Sequence, residues 1–291
     1  MRYEGPIYRP PSEADSLLIQ ATAGCPHNKC TFCMVYKKGP KFKVRPVEEI
    51  VADLEEARER FGRKVRSLFL PAGNTIAMPT PSLVAVLEAA RRIFPFLQRV
   101  TVYGSSKYIL EKGEADLLHL ARAGLTRVHV GLESGDDEVL RRIKKGADRQ
   151  EQIAAGRMLR SAGIENSSYV VLGIGGRERS LEHARQTAAA LNAIEPDFVR
   201  LRTFVPKENT PLLKEVERGS FGMLGPHGVL RETRRLIEAL EAQTELVSDH
   251  YTNYVNLHGR LPGDKASLLS RIDEALELDE SRFRPFFVGT E

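Results

Sequence analysis

Residues 23–33 read Ala23-Gly24-Cys25-Pro26-His27-Asn28-Lys29-Cys30-Thr31-Phe32-Cys33, and this stretch holds every cysteine of the 291-residue chain. The spacing is C-x4-C-x2-C. It follows directly on Ser16-Leu17-Leu18-Ile19-Gln20-Ala21-Thr22, an apolar run that predicts a short buried strand. Three thiols this close together suit ligation of a soft metal better than pairing as a disulfide. A structural zinc takes four ligands, and His27 is the local candidate for the fourth, but the other histidines are scattered and form no second knuckle. A four-iron cluster held wholly by protein takes four cysteines. On Cys25, Cys30 and Cys33 alone it would keep one iron open for chemistry.

Outward from this loop the same unit recurs, a short apolar run, a turn, then a helix. Lys37 to Arg45 is a basic loop, and Pro46 opens a helix whose Val47, Ile50, Val51, Leu54, Ala57 and Phe61 share a face. Strands are predicted at 65–70, 99–103, 126–132, 168–172 and 198–204. Helices are predicted at 80–94, 114–123, 136–145, 148–163 and 180–194, with Thr80-Pro81 and Asp148…Glu151 as start signals. Six strands alternating with helices imply a parallel α/β sheet with right-handed crossovers, open or closed. The expectation is a partial (β/α)6 barrel of the TIM type, whose chemistry would sit at the carboxyl ends of the strands. The cysteine loop and the turns at Gly73, Glu133 and Gly173 all lie at such ends. Residues 1–15 are read as an arm, 16–212 as the barrel, and 213–291 as a carboxy-terminal, largely helical extension covering it. Within that extension a long amphipathic helix is predicted at 226–243 and another after Asp264, while 250–259 is polar and aromatic with no clean period.

Composition bounds the rest. Forty-two per cent hydrophobic and 28% charged residues describe an ordinary globular chain. No apolar leader or membrane-length run is present, and clustered reduced thiols suit the cytoplasm, which is the expected location. A net charge of +4 permits an anionic substrate without requiring nucleic acid, and the chain lacks the aromatic–basic interleaving of an RNA platform.

Gly24 to Cys33 together with Gly131-Leu132-Glu133-Ser134-Gly135 resembles the radical S-adenosylmethionine (radical SAM) superfamily, in particular its elongator, methylthiotransferase and coproporphyrinogen-dehydrogenase type of catalytic core. The resemblance covers roughly residues 15–212. Arg9-Pro10-Pro11-Ser12-Glu13-Ala14 and the segment from Asn253-Tyr254 to Pro262 look like one uncharacterised branch of it. The superfamily's usual spacing is C-x3-C-x2-C, so this chain carries one extra residue in the first gap. The resemblance implies an oxygen-sensitive [4Fe-4S] cluster on Cys25, Cys30 and Cys33 whose open iron binds SAM. It also implies a one-electron donor such as flavodoxin or ferredoxin, and a 5′-deoxyadenosyl radical that abstracts hydrogen from a small or medium organic substrate.

It further implies roles for individual residues, each with an ordinary structural alternative. Phe32 packs beside the cluster or adenine, or belongs to the core. Where relatives carry an acidic residue for the SAM amino group, this chain has Ala72-Gly73-Asn74, whose Asn74 amide oxygen can accept, or which forms a plain Gly-Asn turn. Glu133 and Ser134 are candidates for the ribose or amino group of SAM, with helix capping as the alternative for Ser134. Ser168 and the run Gly173 to Gly176 are candidates for close approach to the ligand, or form a tight strand-to-helix turn. Arg200 and Arg202 share a strand face and would hold a carboxylate or phosphate if that face is interior. Tyr36, Arg202 and His250 are the catalytic candidates, and Tyr36, His250 and Tyr254 the candidates for a substrate pocket.

All cysteines are spent in one loop, which argues against sulfur insertion and against a methyl-carrying cysteine. With fifteen residues ahead of the first strand, no cobalamin-binding domain is expected there. Hydrogen abstraction leading to oxidation, decarboxylation, rearrangement or carbon–carbon bond formation remains, with an oxidative decarboxylase like coproporphyrinogen dehydrogenase as the alternative within the class. A non-catalytic iron–sulfur carrier or sensor, and a zinc-stabilised binding module, are the alternatives outside it.

Overall fold

In the computed structural model, which describes residues 1–290, the apolar runs become strands and the amphipathic runs between them become helices. In chain order these are β1 (Leu17–Leu18), β2 (Thr22–Ala23), β3 (Lys43–Val44), α1 (Val47–Phe61), β4 (Ser67–Leu70), α2 (Thr80–Ile93), β5 (Arg99–Gly104), α3 (Ser106–Ala123), β6 (Arg127–Glu133), α4 (Asp137–Arg142), α5 (Arg149–Ser161), β7 (Glu165–Leu172), α6 (Gly176–Ile194) and β8 (Phe198–Thr203). They continue as α7 (Pro211–Glu217), α8 (Pro226–Ala239), β9 (Thr244–Ser248), β10 (Leu257–Leu261) and α9 (Lys265–Leu276). The sheet order is β1-β4-β5-β6-β7-β8-β9-β10, with β2 and β3 forming a separate antiparallel ribbon. Six parallel strands, β1 and β4 to β8, are each followed by a helix, which is the topology of a partial (β/α)6 TIM-type barrel. Two strands lie beyond it, β9 parallel to β8 and β10 antiparallel to β9. No helix of the described residues is long and apolar enough to cross a membrane.

The chain divides into two compact units. The first comprises residues 1–28, 35–130 and 157–166, and the second residues 29–34, 131–156 and 167–291. Residues 213–291 thus belong to one unit with 167–212. In the first unit β1, β4, β5 and β6 pair in parallel, with Leu68 opposite Val100 and Val102 opposite Val128. Helix α1 packs on α2 and α2 on α3. Helix α3 begins at Ser106, earlier than its sequence signal at Glu114. It joins two helical stretches across a kink at Gly113, whose φ is +74°, and only the second stretch carries the signal. The amino-terminal arm is anchored by a buried carboxylate: Glu13 accepts from Ser16 Oγ at 2.6 Å, pairs with His129 Nε2 at 3.0 Å and lies 3.3 Å from Arg99 Nη2.

In the second unit α6, α8 and α9 pack together over one face of β7 to β10. Val170, Leu172, Val199, Leu201 and Leu246 from the strands meet Ala184, Ala188, Leu191, Leu236 and Ile237 from the helices. Side chains alternate along a strand, so Ser167 and Tyr169 of β7, and Arg200 and Arg202 of β8, lie on the other face.

Candidate functional site

Cys25 and its surroundings lie in the first unit. Cys25 is half-buried. Its Sγ accepts from the Asn28 backbone N–H at 3.4 Å and from Asn74 Nδ2 at 3.5 Å. Asn28 is itself oriented, donating through Nδ2 to the Tyr36 carbonyl at 2.9 Å. The β4 end approaches the loop backbone to backbone: Gly73 N–H donates to the Gly24 carbonyl at 3.1 Å. A Cβ at Gly73 would lie 2.5 Å from Cys25 Cβ and 2.9 Å from the Tyr36 ring, so only glycine fits. Tyr36 is buried against this cradle. Asn74 is 5% exposed, and its Oδ1 has no hydrogen-bond partner. An orphaned buried acceptor beside a thiol is unusual enough to indicate a missing donor.

The other two cysteines lie in the second unit. Cys30 and Cys33 are half-buried, and the loop between them is held by Thr31, which donates N–H to the Ile143 carbonyl (2.9 Å) and accepts Leu212 N–H (3.0 Å). Phe32 is partly buried and packs against the cluster that contains Ile143, Val171, Ile174, Phe204, Leu212 and Phe221. Glu133, at the end of β6, lies 2.8 Å from Lys145 Nζ, both largely buried. Ser134 is fully buried and faces helix α6: its Oγ is 2.8 Å from His183 Nδ1 and accepts from Asp136 N–H at 3.0 Å. His183 Nε2 lies 3.6 Å from Glu232 Oε1, the same oxygen that accepts the Gly173 N–H at 2.6 Å. This buried chain links the ends of β6 and β7 through α6 and α8.

Backbone strain marks the same strand ends. Ala72 (φ +122°) and Glu133 (φ +66°) are non-glycine residues in a conformation that favours glycine, and Gly173 (φ +79°) shares it at the β7 end. Ser168 is a different case. It alternates with Val170 and Leu172 on the helix-packed face and is fully buried there, away from the face that carries Arg200 and Arg202. The strand alternation puts this serine on the same face as the helix-packed Val170 and Leu172.

Of the arginine pair, Arg200 is buried, donates Nε to Ser167 Oγ at 2.9 Å and stacks on Phe198, whereas Arg202 is exposed. Arg202 does act on His250: burial first, then the charges of Arg202 and Lys207, hold the imidazole at about 4 instead of 6.5, so it is neutral at physiological pH. Its Nδ1 is 2.7 Å from Thr252 Oγ1. Tyr254 lines a cavity of about 600 Å³ beyond the β8 end, together with Thr203, Phe204, Phe283 and Arg284. Sequence reading missed Lys145, His183, Glu232 and Arg284. Each is an ordinary charged or polar residue on a helix, loop or tail, and only a contact with a residue distant in sequence gives it a role.

Among the described residues no three Cys, His, Asp or Glu side chains already meet around a metal position. The donor set nonetheless fits an iron–sulfur group: three thiols in one loop, polar donors on Cys25 Sγ, a glycine cradle beside it and the unfilled Asn74 Oδ1.

Comparison with known proteins agrees with this chemistry. A tRNA-2-methylthio-N(6)-dimethylallyladenosine synthase of Chlorobium luteolum is 25% identical over 243 residues, covering 81% of this chain and 51% of that protein. Methylornithine synthase shares the fold at a TM-score of 0.54 and 17% identity, over 91% of this chain and 83% of its own. Coproporphyrinogen III oxidase of Escherichia coli shares it at 0.53 and 18%, over 77% and 52%. The chain spans from about a third to about half the length of the curated relatives it matches. The model of the Radical SAM superfamily matches residues 19–191, more than half of the chain, and the chain belongs to that enzyme superfamily.

Proposed function

We propose that Cys25, Cys30 and Cys33 hold a [4Fe-4S] cluster and that the protein uses SAM to abstract hydrogen from a small or medium organic anion. When bound, the cluster and SAM supply a 5′-deoxyadenosyl radical by one-electron reductive cleavage, the electron coming from a flavodoxin- or ferredoxin-like donor. The protein's own contributions are positional. Asn28 and Asn74 donate to Cys25 Sγ and hold it in place. The Asn74 Oδ1 offers an acceptor for the SAM amino group, in place of the usual carboxylate. Glu133, steadied by Lys145, offers a carboxylate to the ribose or amino group. Gly173, pinned through its N–H by Glu232, keeps the β7 turn open to close approach. Neutral His250 and cationic Arg202 are the candidates for proton handling and anion contact on the substrate side. The names of several relatives point to tRNA methylthiolation, but this chain spans only about half of their length, and its three cysteines lie in one loop.

The observation that carries the reading is the Cys25 environment, with two N–H donors on its sulfur, a glycine that admits no side chain, and an unfilled acceptor. Anaerobic reconstitution with iron and sulfide, then dithionite and SAM, tests it. About four irons per chain and steady release of 5′-deoxyadenosine are expected, with both lost in Cys30→Ala. Zinc in place of iron, or cleavage that survives Cys30→Ala, overturns it.

A further inference from the structure

Within the second unit, the segment after β8, the turn before α8 and the tail 280–287 line the partly open cavity of about 600 Å³, a size that suits a small organic ligand. Its walls are mostly apolar or aromatic, with Phe204, Val205, Leu224, Phe283 and Phe287 among them. Two charged side chains face it. Glu280 is committed: its carboxylate accepts the His227 N–H at 2.8 Å and lies 3.7 Å from His227 Nδ1. Arg284 is held without being neutralised. Its Nε and Nη2 both donate to the Thr252 carbonyl, and its plane stacks 4.4 Å from Tyr254 and 5.0 Å from Phe287. Nη1 has only a 3.5 Å contact to the Pro285 carbonyl, and among the described residues no carboxylate pairs with this guanidinium. Burial lowers its pKa, as expected for a cation without a counter-charge.

We propose that this cavity binds an organic anion with an aromatic or apolar body, its carboxylate or phosphate meeting the free edge of Arg284 while the body packs on the phenylalanines. A rigid guanidinium already fixed by stacking and by a carbonyl loses little freedom on taking an anion. Aromatic walls favour a planar body. Treating that anion as the substrate rests on the radical reading above; the binding itself does not.

The test is a fluorescence titration of the full chain with 8-anilinonaphthalene-1-sulfonate, displaced in turn by 2-naphthoate, 2-naphthyl phosphate and the neutral 2-naphthalenemethanol. One saturable site per chain is expected, with the anions displacing the probe at least about tenfold better than the alcohol, the scale of one charge-assisted contact. The stronger of the two anions identifies the ligand as carboxylate or phosphate. Arg284→Gln should weaken the probe about tenfold or more, and Leu224→Trp should exclude it by filling the cavity with Arg284 kept. Leu224→Trp and the wild-type competition decide the matter even if Arg284→Gln does not fold. Equal displacement by the alcohol, or undiminished probe binding in Leu224→Trp, overturns the proposal. Iron content and 5′-deoxyadenosine yield, measured on the same wild-type preparation, judge the radical reading separately. Cleavage without charge-selective binding overturns only the cavity, and charge-selective binding without iron or cleavage overturns only the radical reading.

Discussion

Gly73 is where the site is least forgiving. A methyl group there would overlap Cys25 Cβ and approach its Cα to 3.0 Å, so backbone and not only a side chain must shift. Gly73→Ala is expected to cost about 1–3 kcal/mol of stability, as overpacking does, and to lower iron per chain after reconstitution; denaturant melts and iron assays read the two effects. Full stability and full iron content would mean that the cradle is incidental. His250 allows a sharper single-residue test because its two perturbing causes are separable. Removing the charge in Arg202→Gln should raise the imidazole pKa from about 4, yet leave it below 6.5, since burial is the larger cause and remains. A proton NMR titration checks this, and an unmoved pKa would separate Arg202 from His250. The cysteine cluster was legible in the sequence because its spacing is local. Lys145 and Arg284 were not, because their meaning lies in partners many residues away.

At the level of elements, helix α8 has a task that its amphipathic pattern does not reveal. Its Glu232 is fully buried and accepts the backbone N–H of Gly173 at the end of β7. Glu232→Ala strands that donor and is expected to cost about 1–3 kcal/mol, the penalty for an unsatisfied buried group. It should also speed hydrogen exchange at the Gly173 amide, whereas Glu232→Gln keeps an acceptor and should preserve most of the protection. If alanine and glutamine exchange alike, the helix does not pin the turn. The six strand–helix units were legible because apolar runs and Gly or Pro punctuation alternate cleanly. Strands β9 and β10 were not. Thr244-Glu245-Leu246-Val247-Ser248 follows a helix with little punctuation between them, and Leu257-His258-Gly259-Arg260-Leu261 carries a glycine and only two large apolar residues. Pairing along β8 and with each other decides their state.

Across the whole molecule, two titrations act in different units and in different pH windows. In the first unit burial pushes the Glu13 carboxyl up, but hydrogen bonds from His129 and Ser16 and the charges of His129 and Arg99 outweigh it and hold the group at about 2 instead of 4.5. Its contribution is complete above pH 4.5 and is lost as the pH falls toward 2. The anchor of this arm joins residues 116 positions apart and was not legible in the sequence. In the second unit His250 is kept neutral, so the unfolded chain takes up its proton first. That contribution is complete above pH 6.5 and is lost as the pH falls toward 4. Stability should therefore decline in two overlapping stages on acidification. Urea denaturation at pH 7, 5 and 3 would resolve them: His250→Gln should flatten the decline between 6.5 and 4, and Glu13→Gln the decline between 4.5 and 2. Glu13→Gln should also be less stable at pH 7, because glutamine cannot carry the charge that His129 and Arg99 face. If both variants follow the wild-type slope throughout, the acid response belongs to the exposed carboxylates instead, and neither of these groups governs it.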